Sequence, residues 1–183
     1  IFDKQIIANV FGVSSVYAAD LDNDGDIDVL SASDGDDRIL WHENDGTENF
    51  NTHSISTDIE DLYSGYISVF ATDVDGDDDM DVLSAANFSN KLLWYENNGN
   101  QNFVRHVVSD EVLGIMSVHA NDLDLDGDLD IISASFDDNK IAWFENVGMT
   151  GNINFKPRIF PETIVLHDNY PNPFNPVTMI NYE

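Results

Sequence analysis

Five aspartates at every second position stand in Asp20-Leu21-Asp22-Asn23-Asp24-Gly25-Asp26-Ile27-Asp28. The alternation returns at Asp73, Asp75, Asp77, Asp79 and Asp81, and again at Asp122, Asp124, Asp126, Asp128 and Asp130. At neutral pH the carboxylates of one such loop repel one another, and a cation between them removes that cost. A hard divalent ion takes oxygen ligands. A loop offering roughly six to eight of them suits calcium better than magnesium, which demands a stricter octahedron. One copy reads as a solvated acidic turn. Three copies at matched positions read as three calcium sites, one per repeat.

The pattern starts like the loop of helix-loop-helix calcium sites, which needs a bidentate Glu at its twelfth position and a helix on each side. Here the twelfth residues are Ser31, Ser84 and Ser133. The segments that follow the loops are Val29-Leu30-Ser31-Ala32, Val82-Leu83-Ser84-Ala85 and Ile131-Ile132-Ser133-Ala134, short and β-branched. Each loop therefore closes on its ninth aspartate and runs into a strand.

The elements that hold these loops also repeat. Ser15-Val16-Tyr17-Ala18, Ser68-Val69-Phe70-Ala71 and Ser117-Val118-His119-Ala120 precede them. Trp41, Trp94 and Trp143 follow, 53 and 49 residues apart, the same spacing as Asp20, Asp73 and Asp122. After each Trp comes Glu-Asn and a glycine turn, ending at Gly46, Gly99 or Gly148, and a last segment starts at Phe50, Phe103 or Phe155. Four short strands per unit of about 50 residues, without helical periodicity, predict an all-β chain of propeller blades. The small residues of the first strand suit a crowded centre, and the Trp of the third fills the space between blades. Phe2, Gln5 and Ile7 align with Phe50, His53 and Ile55, which predicts an extra N-terminal fourth strand. Three blades and one strand leave a ring incomplete, or completed by an oligomer, and open edges invite self-association.

The charge excludes several partners. Of 183 residues, 35 are acidic and 7 basic, for a net charge of −28. Nucleic acid and anionic membrane surfaces select the opposite sign. There is no cysteine, hence neither a disulfide framework nor a thiolate metal site. No apolar run approaches the roughly 20 residues of a membrane helix, so no membrane insertion is expected. The chain starts at Ile1 with no leader ahead of it, the pattern of a mature product or an excerpt.

Over residues 1–160 the repeats resemble the FG-GAP/VCBS repeat, the blade of the integrin α-subunit propeller and of many bacterial surface proteins. The blades would span about 9–56, 57–109 and 110–160. The resemblance implies calcium in the hairpin between strands 1 and 2. It implies side-chain ligands from Asp20, Asp22, Asp24 and Asp28, from Asp73, Asp75, Asp77 and Asp81, and from Asp122, Asp124, Asp126 and Asp130. Asp26, Asp79 and Asp128 would add a carbonyl each. Loop 2 departs from its neighbours, with Asp78 where Gly25 and Gly127 stand and its glycine at Gly76. A positive φ at that sixth position would suit Asp less well than Gly.

Residues 161–183 differ in kind. All five prolines lie between Pro157 and Pro176. The run Tyr170-Pro171-Asn172-Pro173-Phe174-Asn175-Pro176 resembles the opening of a type IX (Por) secretion C-terminal sorting domain, truncated here after its first strand. That resemblance implies engagement by the type IX machinery and a final place outside, or on the surface of, a Gram-negative cell.

No residues suggest catalysis. The histidines are His42, His53, His106, His119 and His167, and no serine motif accompanies them. A hydrolytic acid pair needs one carboxyl kept neutral beside an ionised one, whereas these aspartates are equivalent. A non-enzymatic adhesion, glycan- or protein-binding module is expected, with a structural spacer, a self-assembling surface element or an accessory region of a secreted enzyme as alternatives. Up-and-down strands place the 4–1 and 2–3 loops on the face away from calcium. There the ligand would meet residues 34–37, Phe88, Ser89, Phe136 and Asp137, with Glu60, Asp61, Leu62, Tyr63 and Tyr66.

Overall fold

The structure, a computed structural model, describes residues 2–56, 64–147 and the backbone of 156–158. These residues form twelve strands and no helix. The first unit holds β1 (Val13–Ala19), β2 (Asp28–Ser33), β3 (Arg38–Asn44) and β4 (Phe50–Ser54). The second holds β5 (Tyr66–Thr72), β6 (Asp81–Ala86), β7 (Lys91–Asn97) and β8 (Phe103–Ser109). The third holds β9 (Ile115–Asn121), β10 (Asp130–Ser135), β11 (Lys140–Glu145) and the short β12 (Lys156–Arg158). Each unit is one antiparallel sheet in sequence order, the arrangement expected of a blade. The aspartate loops are the connections β1–β2, β5–β6 and β9–β10.

The first strands stand side by side, β1 next to β5 and β5 next to β9. The serines of the first two Ser-Val-x-Ala runs do more than save space. Ser15 Oγ accepts the backbone N–H of Val69, and Ser68 Oγ that of Val118, both at 3.4 Å. Between those serines, the aromatic rings of Tyr17, Phe70 and His119 form a row across the blades, with centroids 4.8 and 4.3 Å apart. The inner strands are thus stitched by polar and aromatic contacts at once.

The core lies in the seams. Leu21, Leu30, Ile39 and Trp41 of blade 1 pack on Tyr66, Val69, Val82 and Tyr95 of blade 2. Val74, Leu83, Leu92 and Trp94 of blade 2 pack on Ile115, Val118, Ile131 and Phe144 of blade 3. Trp41 and Trp94 fill the space between blades as the sequence suggests. The outermost faces keep the same apolar residues without a cover. Ile141 is 73% exposed, while its counterparts Ile39 and Leu92 are wholly buried. Val16 is 65% exposed, against 5% for Val69 and for Val118. The ring is not closed.

The extra N-terminal strand is not formed. Residues 2–10 are not extended into a strand and pair with none of the three sheets. Instead Gln5, Ile6, Ile7, Ala8 and Val10 line, with Val16, Val29, Ser31 and His42, an open groove of about 250 Å³ at the outer face of blade 1. Residues 161–183, including the proline-rich run, lie outside the described residues.

Candidate metal centres

Each loop is shaped by its first aspartate. Asp20 accepts the backbone N–H groups of Asp24 and Gly25 at 3.1 and 3.0 Å. Asp73 accepts those of Gly76, Asp77 and Asp78 at 2.6, 3.2 and 3.0 Å, and Asp122 that of Gly127 at 3.2 Å. This wrapping requires left-handed backbone at two places. The sixth residues Gly25, Asp78 and Gly127 have φ of 97°, 73° and 102°, and the fourth residues Asn23, Gly76 and Leu125 have 60°, 77° and 63°. Loop 2 has its glycine at the fourth position, so Asp78 bears the strain at the sixth.

The ninth aspartate is the anchor. Asp28, Asp81 and Asp130 are fully buried. One oxygen of each accepts the N–H of the second loop residue, Leu21, Val74 or Leu123, at 3.0, 3.0 and 3.1 Å. The other accepts the N–H of Asn44, Asn97 or Asn146, where the third strand ends, at 2.8, 2.7 and 2.8 Å. A charge buried this deeply is held by charge-assisted bonds to backbone donors.

The third aspartate completes a triad. Asp20, Asp22 and Asp28 each bring a carboxylate oxygen within 4.8 Å of the other two, and so do Asp73, Asp75 and Asp81, and Asp122, Asp124 and Asp130. Within these triads Oδ1 of Asp22, of Asp75 and of Asp122 is buried with no hydrogen-bond partner. A buried carboxylate oxygen without a donor is costly, and its presence in all three triads fits a cation more readily than three separate defects. The donors are all oxygen, which suits a hard divalent ion. The residues present fit such a group.

The fifth and seventh aspartates stand differently. Oδ1 of Asp24, Asp77 and Asp126 accepts the backbone N–H of Asp26, Asp79 and Asp128, at 2.8, 2.9 and 3.0 Å. The side chains of Asp26 and Asp79 lean on Gly46 and Gly99 of the following turns, where a Cβ would push the carboxylate aside.

Electrostatics agree with the geometry. Burial pushes the Asp81 carboxyl up to about 7, against the pull of the Asn97 and Val74 N–H groups. The Trp94 indole makes no full hydrogen bond, yet lies near enough to Asp81 to favour its charged form. Burial, then Asp77, Glu96 and Asp73, raise Asp75 to about 6. Asp22 and Asp124 are raised by burial and by their carboxylate neighbours.

Three partners escaped sequence reasoning. Asn44, Asn97 and Asn146 follow their ninth aspartates at a constant distance of 16 residues, a signal that was present in the repeats. The side chains of Asn97 and Asn146 also cross the seams, whereas that of Asn44 donates to the Ile27 carbonyl of its own blade. Asn97 Nδ2 donates to the carbonyls of Leu21 and Met80, both at 3.2 Å, and Asn146 Nδ2 to those of Val74 and Leu129, at 3.5 and 3.3 Å. Glu43 and Glu96 add negative charge beside Asp22 and Asp75, and each bonds a histidine, His53 or His106, at 2.7 Å. Those imidazoles lie over Trp41 and Trp94.

On the opposite face, Phe88 and Phe136 are 67% and 74% exposed, and Phe11 joins them at 73%. Phe88 covers Gly65 and Phe11 covers Gly35. Tyr66 is not on that face. It is wholly buried in the first seam, its hydroxyl 3.1 Å from that of Tyr95, because it stands on β5 and not in the preceding loop. Glu60, Asp61, Leu62 and Tyr63 lie outside the described residues. Asp36 and Asp37 are tied up locally, accepting the N–H groups of Phe11 and of Ser64 and Gly65. His42 is buried between Ser31 and Thr52, 2.9 Å from each, where the other blades place Tyr95 and Phe144.

The family model of the FG-GAP-like repeat matches residues 20–84 and 73–133, together more than half of the chain. The chain belongs to the FG-GAP-like repeat family. Each match starts at the first aspartate of one loop and ends in the strand after the next loop, so the repeat includes one seam. Among solved structures the fold is similar to that of an Agrocybe aegerita lectin solved for its specific recognition of non-reducing terminal N-acetylglucosamine. That similarity has a TM-score of 0.55 at 21% identity and covers 79% of this chain and 37% of the lectin chain. At this identity the likeness is one of fold, and the FG-GAP-like chain spans little more than a third of the lectin's length. No curated protein matches it in sequence. Among the described residues, no helix is long and apolar enough to cross a membrane.

Proposed function

We propose that these FG-GAP-like blades form a calcium-stabilised propeller segment of a secreted bacterial cell-surface protein. Its role is to bind a glycan or a protein, without a catalytic centre of its own. The supporting observation is the contrast between the two ends of the blades. One end carries three carboxylate triads with donorless buried oxygens; the other carries Phe11, Phe88 and Phe136, all largely exposed.

At the first end, the first, third and ninth aspartates of each loop hold the ion. The fifth aspartate, with its second carboxylate oxygen, and the seventh carbonyl add to the oxygen set. When bound, calcium supplies the positive charge that lets the carboxylates of one loop ionise together. The protein's part is to fix the loop through the ninth aspartate, which binds the backbone at both ends of the site. At the other end, exposed aromatic rings beside acidic groups suit flat, weakly charged ligands such as sugars. The lectin fold neighbour favours the same class. The Tyr170–Pro176 run supports export by a type IX system.

The test is a panel of glycans that includes terminal N-acetylglucosamine, offered to the full chain in calcium and to its Phe88→Ala/Phe136→Ala variant. Binding lost at an unchanged melting temperature is the expected outcome. Binding kept by the variant moves the site off this face. A second reading, a spacer or self-assembling element, draws on the uncovered Val16 and Ile141 faces. Light scattering that shows concentration-dependent association, together with no binding to any glycan or protein panel, would favour it.

A further inference from the structure

Calcium loops 1 and 2 are joined across the first seam by more than the packing below them. Asn23, the fourth residue of loop 1, donates through Nδ2 to the Asp78 carbonyl at 3.1 Å and to Asp79 Oδ1 at 3.3 Å, both in loop 2. In the other direction, Gln101 of the β7–β8 turn donates through Nε2 to Oδ2 of Asp22, a member of the loop 1 triad, at 3.4 Å. Asn97 binds both the Leu21 carbonyl of loop 1 and, through its N–H, the Asp81 carboxylate of loop 2. These groups surround a polar cleft of about 170 Å³ between Asp22, Asp79, Asn97 and Gln101.

Among the described residues, the second seam keeps only part of this. Asn146 reaches the Val74 carbonyl there, as Asn97 reaches that of Leu21. The place of Asn23 in loop 2, however, is taken by Gly76, which has no side chain to offer loop 3. The first seam therefore has a loop-to-loop clasp that glycine removes from the second.

We propose that loops 1 and 2 bind their two ions cooperatively, with Asn23 and Gln101 as the positioning residues that couple them, and that loop 3 is coupled less. This rests on the calcium reading above. Without an ion, the crowded carboxylates of loop 1 push apart, and Asn23 and Asp22 lie within that moving segment. Filling loop 1 fixes Asp22 and with it the partner of Gln101, and fixes Asn23 and with it the Asp78–Asp79 segment. The ordering needed by loop 2 is then partly complete before its own ion arrives, which is coupling by shared ordering.

The experiment is calorimetric titration of calcium into the chelator-stripped full chain in a background where Asp122→Asn and Asp124→Asn silence the third site. The coupling should make the second ion bind about 5-fold more tightly than the first, near the lower end of ordinary allosteric couplings. Asn23→Gly with Gln101→Gly should still take two ions, now independently. Asn23 and Gln101 stand at φ of 60° and 58°, so glycine removes the side chains without straining the backbone, and an unchanged melting temperature in calcium checks the fold. Two independent sites before the glycine changes, or the same cooperativity after them, would overturn the proposal while leaving the calcium reading intact. No calcium uptake by any form would overturn both.

Discussion

The Asp81 carboxylate and the backbone N–H of Asn97 lie 2.7 Å apart, although 16 residues separate them. Through this bond the acidic loop is fastened to the end of the third strand, and Asp28–Asn44 and Asp130–Asn146 repeat it. The ninth aspartate is thus a structural tie as well as a member of the triad.

Replacing it should therefore reduce stability even without calcium. In Asp81→Asn an amide group faces one of two buried N–H donors, leaving it unsatisfied, a loss of about 1–3 kcal/mol. The solvent-side change Asp77→Asn should lose far less in chelator. Equal losses for the two variants in chemical denaturation would contradict the distinction.

Much of this was legible in the sequence. The alternating aspartates and their matched spacing gave three blades, the hairpin position of the loops and the inter-blade Trp, since a repeat displays its pattern three times over. The bonds across seams were not legible, because they join residues such as Asn97 and Leu21, 76 positions apart. The N-terminal segment misled for a physical reason: the same apolar spacing that fits a fourth strand also lets the segment lie against the apolar face of blade 1 without pairing with any sheet. Tyr66 misled through a boundary, since one residue separates a loop position from a buried strand start.

Backbone strain supplies an independent check. Leu125 is 85% exposed and sits at φ 63°, a conformation that costs a branched residue about 1–2 kcal/mol. Leu125→Gly relieves this but gives the unfolded chain about 0.4–1 kcal/mol more entropy. The net gain should be about 0.5–1 kcal/mol by denaturant midpoint. A loss of stability would mean that Leu125 makes a contact its exposure hides.

The exposed and buried aromatics should separate cleanly. Tyr66→Ala empties a seam position and should cost about 3–5 kcal/mol, as other large aromatic truncations do. Phe88→Ala and Phe136→Ala, on the surface, should stay within about 0.5 kcal/mol of the parent. Comparable losses at all three would assign the phenylalanines to the core and remove them as a ligand face.

Acid should weaken blade 1 through His42. Burial lowers its pKa from the ordinary 6.5, so the unfolded chain takes up the proton more readily than the folded one. Its contribution is therefore nil well above pH 6.5 and turns destabilising as the pH falls below it. In chelator the raised Asp81 acts in the opposite sense. It holds its proton when folded up to about pH 7, so stability from this group falls as the pH rises from about 4 to 7. His42→Phe, matching Phe144 in blade 3, should flatten only the acid limb. An unchanged acid limb would exclude His42 as its source.

The central claim is that cations hold the three aspartate loops, and the melting temperature of the full chain at neutral pH tests it most directly, measured in excess chelator and again after calcium or magnesium is restored. Saturation at about 100 times Kd adds roughly 2.7 kcal/mol for each site that the unfolded chain lacks. Calcium should raise the melting temperature well above the chelator value, and magnesium should restore it poorly. The same melting curve in chelator, calcium and magnesium would contradict the claim.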